Sequence, residues 1–136
     1  MDVLLRLGEF RFAVDTAAYQ ELTRAAEYRW PAQERLWNRA AVQFTGIGDD
    51  VITLTGKVLP LWRGGLRQID RLREMAEAPA TAVAAEPLPL VTGYGEFLGE
   101  WVITRVEEQQ GHVLTRGAPG EQRFTLRLQR YARDLG

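Results

Sequence analysis

Apolar and polar side chains alternate most cleanly near the end of the chain. There Phe124, Leu126 and Leu128 fall on one side of an extended backbone and Arg123, Thr125, Arg127 and Gln129 on the other, so residues 123–131 are predicted to be a strand with one buried face. The same period of two recurs over residues 51–58, with Ile52, Leu54 and Val58 opposed to Thr53, Thr55 and Lys57. A second β-rich run, residues 41–45, precedes Gly46-Ile47-Gly48-Asp49-Asp50. Two such runs around a Gly/Asp segment predict a hairpin with its tip at Ile47, Gly48, Asp49 and Asp50. Residues 4–14 read as one first strand, with Gly8, Phe10, Phe12 and Val14 on one face and Glu9 and Arg11 on the other; Asp15-Thr16 follows as a turn or helix cap. Residues 22–30 fit both periods, and Pro31 after Trp30 favours strand in the second half. Residues 97–106 form a further strand carrying Trp101 and Ile103, Gln109-Gln110-Gly111 is read as its turn, His112 begins the return, and residues 117–120 turn again.

One segment has helical spacing. Gly64-Gly65 opens a helix over about residues 65–78, in which Leu66, Ile69, Leu72 and Ala76 share a face and Met75 lies beside it. Arg63, Arg67 and Arg71 recur every fourth residue on the other side, and Pro79 stops the helix. Residues 79–89, rich in proline and alanine, read as a loop. The expected fold class is α+β, predominantly antiparallel β. Five to seven strands form a half-covered sheet or small sandwich with one flanking helix, in a single domain spanning residues 1–136.

Composition narrows the chemistry. The chain has no cysteine, which excludes a disulfide framework, a thiolate metal site and a cysteine nucleophile; with one histidine it has no multi-histidine metal site of its own. Seventeen basic against eighteen acidic side chains argue against a nucleic-acid binder held by excess positive charge. All the basic residues except Lys57 are arginine, which suits protein interfaces and also follows from a GC-rich coding sequence. No apolar run approaches the ~20 residues of a membrane span, and the first residues lack the features of a secretory signal, so cytoplasmic assembly is expected. Asp49-Asp50 could offer oxygens to a divalent cation, but adjacent acids in a turn are explained by turn chemistry, and Glu107-Glu108 are read as solvated strand ends. Gly93-Tyr94-Gly95 lacks the strand-before, helix-after setting of a phosphate loop. Asp49, Asp50 and His112 are the remnant of a hydrolase or nuclease reading; no catalytic grouping, metal or cofactor is expected. Trp101 is assigned to the core, whereas Trp62 beside Arg63 and Trp37 between Arg35 and Arg39 are candidates for a partner surface as well as for the core.

Taken in order, several stretches resemble the GpU family of tail proteins from contractile-tailed bacteriophages and R-type pyocins. They are Gly8-x-Phe10-x-Phe12, Tyr19-Gln20-x-Leu22 and Glu27-Tyr28-Arg29-Trp30-Pro31, then the block from Gln43-Phe44-Thr45-Gly46 through Asp50-x-Ile52-Thr53-Leu54-x-Gly56 to Pro60 and Gly64-Gly65. Leu72-Arg73-x-Met75-Ala76, Leu88-Pro89-Leu90-Val91-x-Gly93, Gly99-x-Trp101-x-Ile103 and Phe124-Thr125-Leu126-x-Leu128-x-Arg130-Tyr131 complete the set. The alanine/proline connector at 79–86 and Thr115-Arg116 ahead of Gly117 depart from the pattern expected of the family. The resemblance implies a tail-tube-like β-sandwich or half-barrel and a structural virion protein rather than a catalyst. It implies a homo-oligomeric ring, a hexamer by analogy with tube rings or a trimer matching the hub, at the baseplate end of the tail. Its partners would be the tail tube protein, the baseplate hub protein and a LysM-containing tail protein encoded nearby, downstream of the tape measure. A tail terminator is the other seat in such a particle. Candidate contact residues are Ile47, Gly48, Asp49, Asp50, Trp62, Arg63, Arg67 and Arg71; for the three arginines a solvated helix face is the competing reading.

Overall fold

The computed structural model describes residues 3–13, 17–30, 32–33, 41–42, 46–59, 67–80, 86–113 and 119–131. In chain order the strands are β1 (Val3–Leu7), β2 (Phe10–Ala13), β3 (Ala18–Arg29), β4 (Ala32–Gln33), β5 (Ala41–Val42) and β6 (Gly46–Val58). After them come helix α1 (Gln68–Glu77), a 3-10 turn (Ala78–Ala80), β7 (Leu88–Thr92), β8 (Phe97–Val113) and β9 (Pro119–Arg130). Seven strands form one antiparallel sheet in the order β2-β1-β7-β8-β9-β6-β3, and β4 pairs with β5 separately. The predominantly antiparallel β reading with one helix holds. The helix runs over Gln68–Glu77, the start expected near residue 65 lies outside the described residues, and Pro79 lies in the 3-10 turn that follows the helix.

Residues 4–14 are two strands, not one. Gly8, at a φ of +57° that L side chains rarely adopt, reverses the chain so that Leu7 pairs with Phe10. Leu5, Leu7, Phe10 and Phe12 all become buried as a result. The expected hairpin tip is likewise corrected: Ile47, Gly48, Asp49 and Asp50 lie within β6, which pairs with β3 from Lys57↔Ala18 out to Gly46↔Arg29. Strand β3 offers a backbone partner at each step, and that ladder outweighs the local turn preference of Gly and Asp. A register shift between Ala26 and Tyr28 absorbs the extra residue on the β6 side. Gln109-Gln110-Gly111 is also strand rather than turn, because β9 pairs with it through Arg123, Gln122 and Glu121. Strand β7 begins within the segment read as loop, at Leu88 and Pro89. Its Pro89 is tolerated because its carbonyl accepts the Gly8 N–H at 2.8 Å, where β1 has already ended and needs no donor from β7.

The alternation of β9 and β6 is as expected: Phe124, Leu126 and Leu128 are buried with Ile52, Leu54 and Val58. They meet Leu5, Leu7, Phe10, Phe12, Leu90, Trp101, Ile69 and Leu72 in one cluster. The outermost strands of the sheet approach each other across it. The Phe12 ring of β2 lies 6.4 Å from Tyr19 of β3 and 6.0 Å from Phe124 of β9. Helix α1 packs against β8 and turns Ile69 and Leu72 inward. Among the described residues, no helix is long and apolar enough to cross a membrane.

Candidate assembly surface

The apolar core is closed at each end by a carboxylate, and the candidate residues divide between these ends. Asp50 lies on β6 with the inward parity of Ile52 and Leu54, beside Arg24 of β3. Arg24 donates to both carboxylate oxygens, Nε to Oδ1 at 3.1 Å and Nη2 to Oδ2 at 2.8 Å, and Arg130 Nη1 stands 3.8 Å from Oδ2. Both guanidinium groups face the buried Trp101 ring, at 5.4 Å for Arg24 and 6.0 Å for Arg130, while the indole N–H donates to the Leu98 carbonyl. The Arg24 hydrogen bonds hold the Asp50 carboxyl below its ordinary range against the opposing effect of burial, and the same bonds raise Arg24. Asp50 is therefore engaged in an internal fork. Ile47, by contrast, is exposed opposite Tyr28, and Asp49 is exposed on the strand between them.

The helix end is built differently. Arg67 sits exposed at the N-cap of α1, without a side-chain cap bond. Arg71 is exposed, with its guanidinium 5.5 Å from the Phe10 ring. The arginine that binds is Arg73, which the spacing argument did not single out: its Nη2 donates to Glu108 Oε2 at 2.7 Å. Gln110 and Gln122 donate to the other oxygen of Glu108. Burial pushes the Glu108 carboxyl up, but these amides and the Arg73 guanidinium outweigh it and leave it below the usual range. Glu107 and Glu108 are thus mid-strand partners, Glu107 of Arg105 and Glu108 of Arg73, rather than solvated ends. Gln122 is buried and its Oε1 has no partner. Trp62, Arg63 and Trp37 lie outside the described residues, and His112 is placed in β8 by its backbone alone. Among the described residues, no three acidic or histidine side chains gather as a metal-ligand set.

Sequence reasoning missed the exposed aromatics. Tyr28, Trp30, Tyr94, Phe97 and Tyr131 lie open on the surface with Ile47. The signal was present at Gly93-Tyr94-Gly95, since an aromatic between two glycines in a turn has little to pack against locally. Two open surface depressions, of about 270 and 300 Å³, are lined mostly by charged and polar side chains such as Glu107, Arg123 and Arg73.

The family described as Phage P2 GpU matches residues 8–133. A protein of Halomonas phage phiHAP-1 described as a probable tape measure protein is 30% identical over 132 residues, which is 96% of this chain and 14% of that much longer protein. Among solved structures, the tail of an empty GTA particle with C6 symmetry has a similar fold at a TM-score of 0.52 and 13% identity, over 97% of this chain and 92% of that one. The extended sheath–tube complex of an extracellular contractile injection system (PVC) gives a TM-score of 0.52 at 13% identity, covering 92% and 82%. The sheath/tube terminator of that system gives 0.52 at 12% identity, covering 95% and 89%. At these identities the likeness is one of fold.

Proposed function

The chain belongs to the phage P2 GpU family, and on that footing we propose that it is a non-catalytic tail protein forming a ring where the baseplate hub meets the tail tube, on which tube growth begins. The family match over nearly the whole chain carries this reading. A single GpU-like domain over residues 1–136 joins rings of copies to the tube protein on one side and to the hub protein, with its LysM-containing neighbour, on the other. Six copies match the tube and three the hub. The protein assembles in the host cytoplasm and ends in the virion tail, taking no cofactor, membrane or specific nucleic-acid sequence. The curled sheet, with β2 and β3 meeting over the core, is read as the half-barrel or sandwich of a tube-type subunit. Strand margins are available for pairing between copies: among the described residues the sheet ends at β2 and at β3, and β8 has no strand on the side away from β9 from Val102 onward. The relative in which a similar segment forms part of a probable tape measure protein supports a seat on the tail axis.

A head-proximal tail terminator is the second reading, favoured by the similar fold of a sheath/tube terminator. Negative-stain microscopy of lysates from a strain lacking only this gene separates the two. Loss of tubes and sheaths, with heads retained, is the expected result for an initiating ring. Tails of uncontrolled length would make the protein a terminator, and normal infectious particles would overturn both readings.

A further inference from the structure

Of the two guanidinium groups at the Trp101 end, one is engaged and the other is held in place without an acceptor. Arg24 donates from Nε and Nη2 to the two oxygens of Asp50. Arg130 comes no nearer to that carboxylate than 3.8 Å, and among the described residues its side chain makes no hydrogen bond. That side chain is 47% exposed, so its donors are within reach of another molecule.

Arg130 is nevertheless fixed. Its backbone stands opposite Trp101 in the β8–β9 ladder, and the N–H of the next residue, Tyr131, donates to the Glu100 carbonyl at 2.9 Å. Its guanidinium lies over the backbone of Gly99. The point at which a Cβ would stand there is 3.1 Å from Arg130 Cζ and Nε and 3.2 Å from Nη2, so one face of the planar group is turned to the glycine. Gly99 is buried and has a φ of +108°, which L side chains rarely adopt, and any side chain at that position would press Arg130 off its seat. The Trp101 ring centroid lies 6.0 Å from Cζ. A guanidinium covered on its face keeps its N–H edge for an acceptor lying in its plane, and a side chain ordered in advance loses little freedom on binding.

The charges select the acceptor. Arg24 and Arg130 have the single carboxylate of Asp50 between them, which leaves the cluster one positive charge in excess. A carboxylate matches the planar fork of arginine and brings one negative charge. A phosphate would bring more charge against Asp50, which already stands 3.8 Å from Arg130. Phe97, two residues before Gly99 on β8, and Tyr131, next after Arg130, are both exposed. Large rings around a contact of this kind exclude water from it and so favour a protein neighbour over a small solute.

We infer that Arg130 is a docking contact whose guanidinium takes the side-chain carboxylate of an aspartate or glutamate on a protein neighbour in the tail; the neighbour, though not the carboxylate site, rests on the tail reading above. Parent chain and Arg130→Gln, expressed together at equal levels, should compete unequally for places in tails. Quantitative mass spectrometry of purified tails should find the parent enriched ~10-fold or more. Arg130→Lys, which keeps the charge and loses the fork, should fall between the two, and matching melting curves verify that the variants fold. Parity between Arg130→Gln and the parent would overturn the docking role. On the free protein, acetate at constant ionic strength should shift the Arg130 Nε–H resonance saturably, while that of exposed Arg67 responds no more than it does to chloride. An Arg130 response no larger than that of Arg67 would overturn the carboxylate site. If the parent chain is itself missing from tails, the tail reading falls, and the acetate titration decides the carboxylate site.

Discussion

The two ends of the core solve the same problem with different means. At one, Asp50 is gripped by Arg24 and approached by Arg130 over the Trp101 ring, and exposed aromatics extend beyond the ion pair. At the other, Glu108 sits beneath α1 among Arg73, Gln110 and Gln122, with no large apolar side chain exposed nearby among the described residues. The helix end is already covered by the chain itself. The Trp101 end draws the Asp50 carboxylate in while leaving large apolar side chains out in water, where an isolated solvated surface favours the reverse. A carboxylate at the rim of a core can thus serve either as a lid or as a footing for something applied from outside.

Trp101→Ala should have the largest effect, because it removes the buried ring on which both arginines rest. A loss of about 3–5 kcal/mol in urea-unfolding stability is expected. Glu108→Ala comes next at about 2 kcal/mol, since it leaves the buried amide of Gln122 without a partner; Arg73, 43% exposed, keeps Asp70 at 3.6 Å and adds little. Asp50→Ala should cost only about 1 kcal/mol or less, because Arg24 and Arg130 are more than 40% exposed and water can replace their partner. Equal losses for Glu108→Ala and Asp50→Ala would break the distinction between the two ends.

Acid probes the same pair. Both carboxyls lie below their ordinary range in the folded chain, so each contributes stability that is fully present above the unfolded value near pH 4 and lost as pH falls through the folded one. The melting temperature should therefore drop more steeply below about pH 4 in the parent than in a double Asp50→Asn, Glu108→Gln variant. The smallest effect on folding belongs to the rim. Tyr94→Ala should change stability by less than about 0.5 kcal/mol, as measured by melting.

What could be read in advance follows from where the determining partner sits. Phe124, Leu126 and Leu128 announced their face because burial acts on each residue separately and the strand period is two. Gly46 to Asp50 misled because glycine and aspartate state a local preference, while the partner that overrides it, β3, is set by long-range pairing. Pro89 concealed β7 for a related reason: whether a missing N–H matters depends on what lies across the ladder, and there it is only the Gly8 turn. At the site, Asp50 was noticed but its internal partner was not, since a fork from Arg24, twenty-six residues away, leaves no trace in spacing. Arg73 escaped notice because three neighbouring arginines made a more regular pattern than the one that binds.

The β6 strand has one mechanical consequence. From Val51 to Val58 it is held on both sides, by β3 and by β9, whereas from Gly46 to Asp50 β3 is its one strand partner among the described residues. The change falls beside the Arg24–Asp50 fork. A sheet gripped from both sides is stiff, whereas a two-stranded ribbon twists and bends readily. The molecule is therefore a rigid block with a compliant arm about 17 Å long, five residues at ~3.4 Å each. Load applied at Tyr28 and Ile47 is taken up as flexure before it reaches the core, and Asp50 marks the point where the spring is anchored.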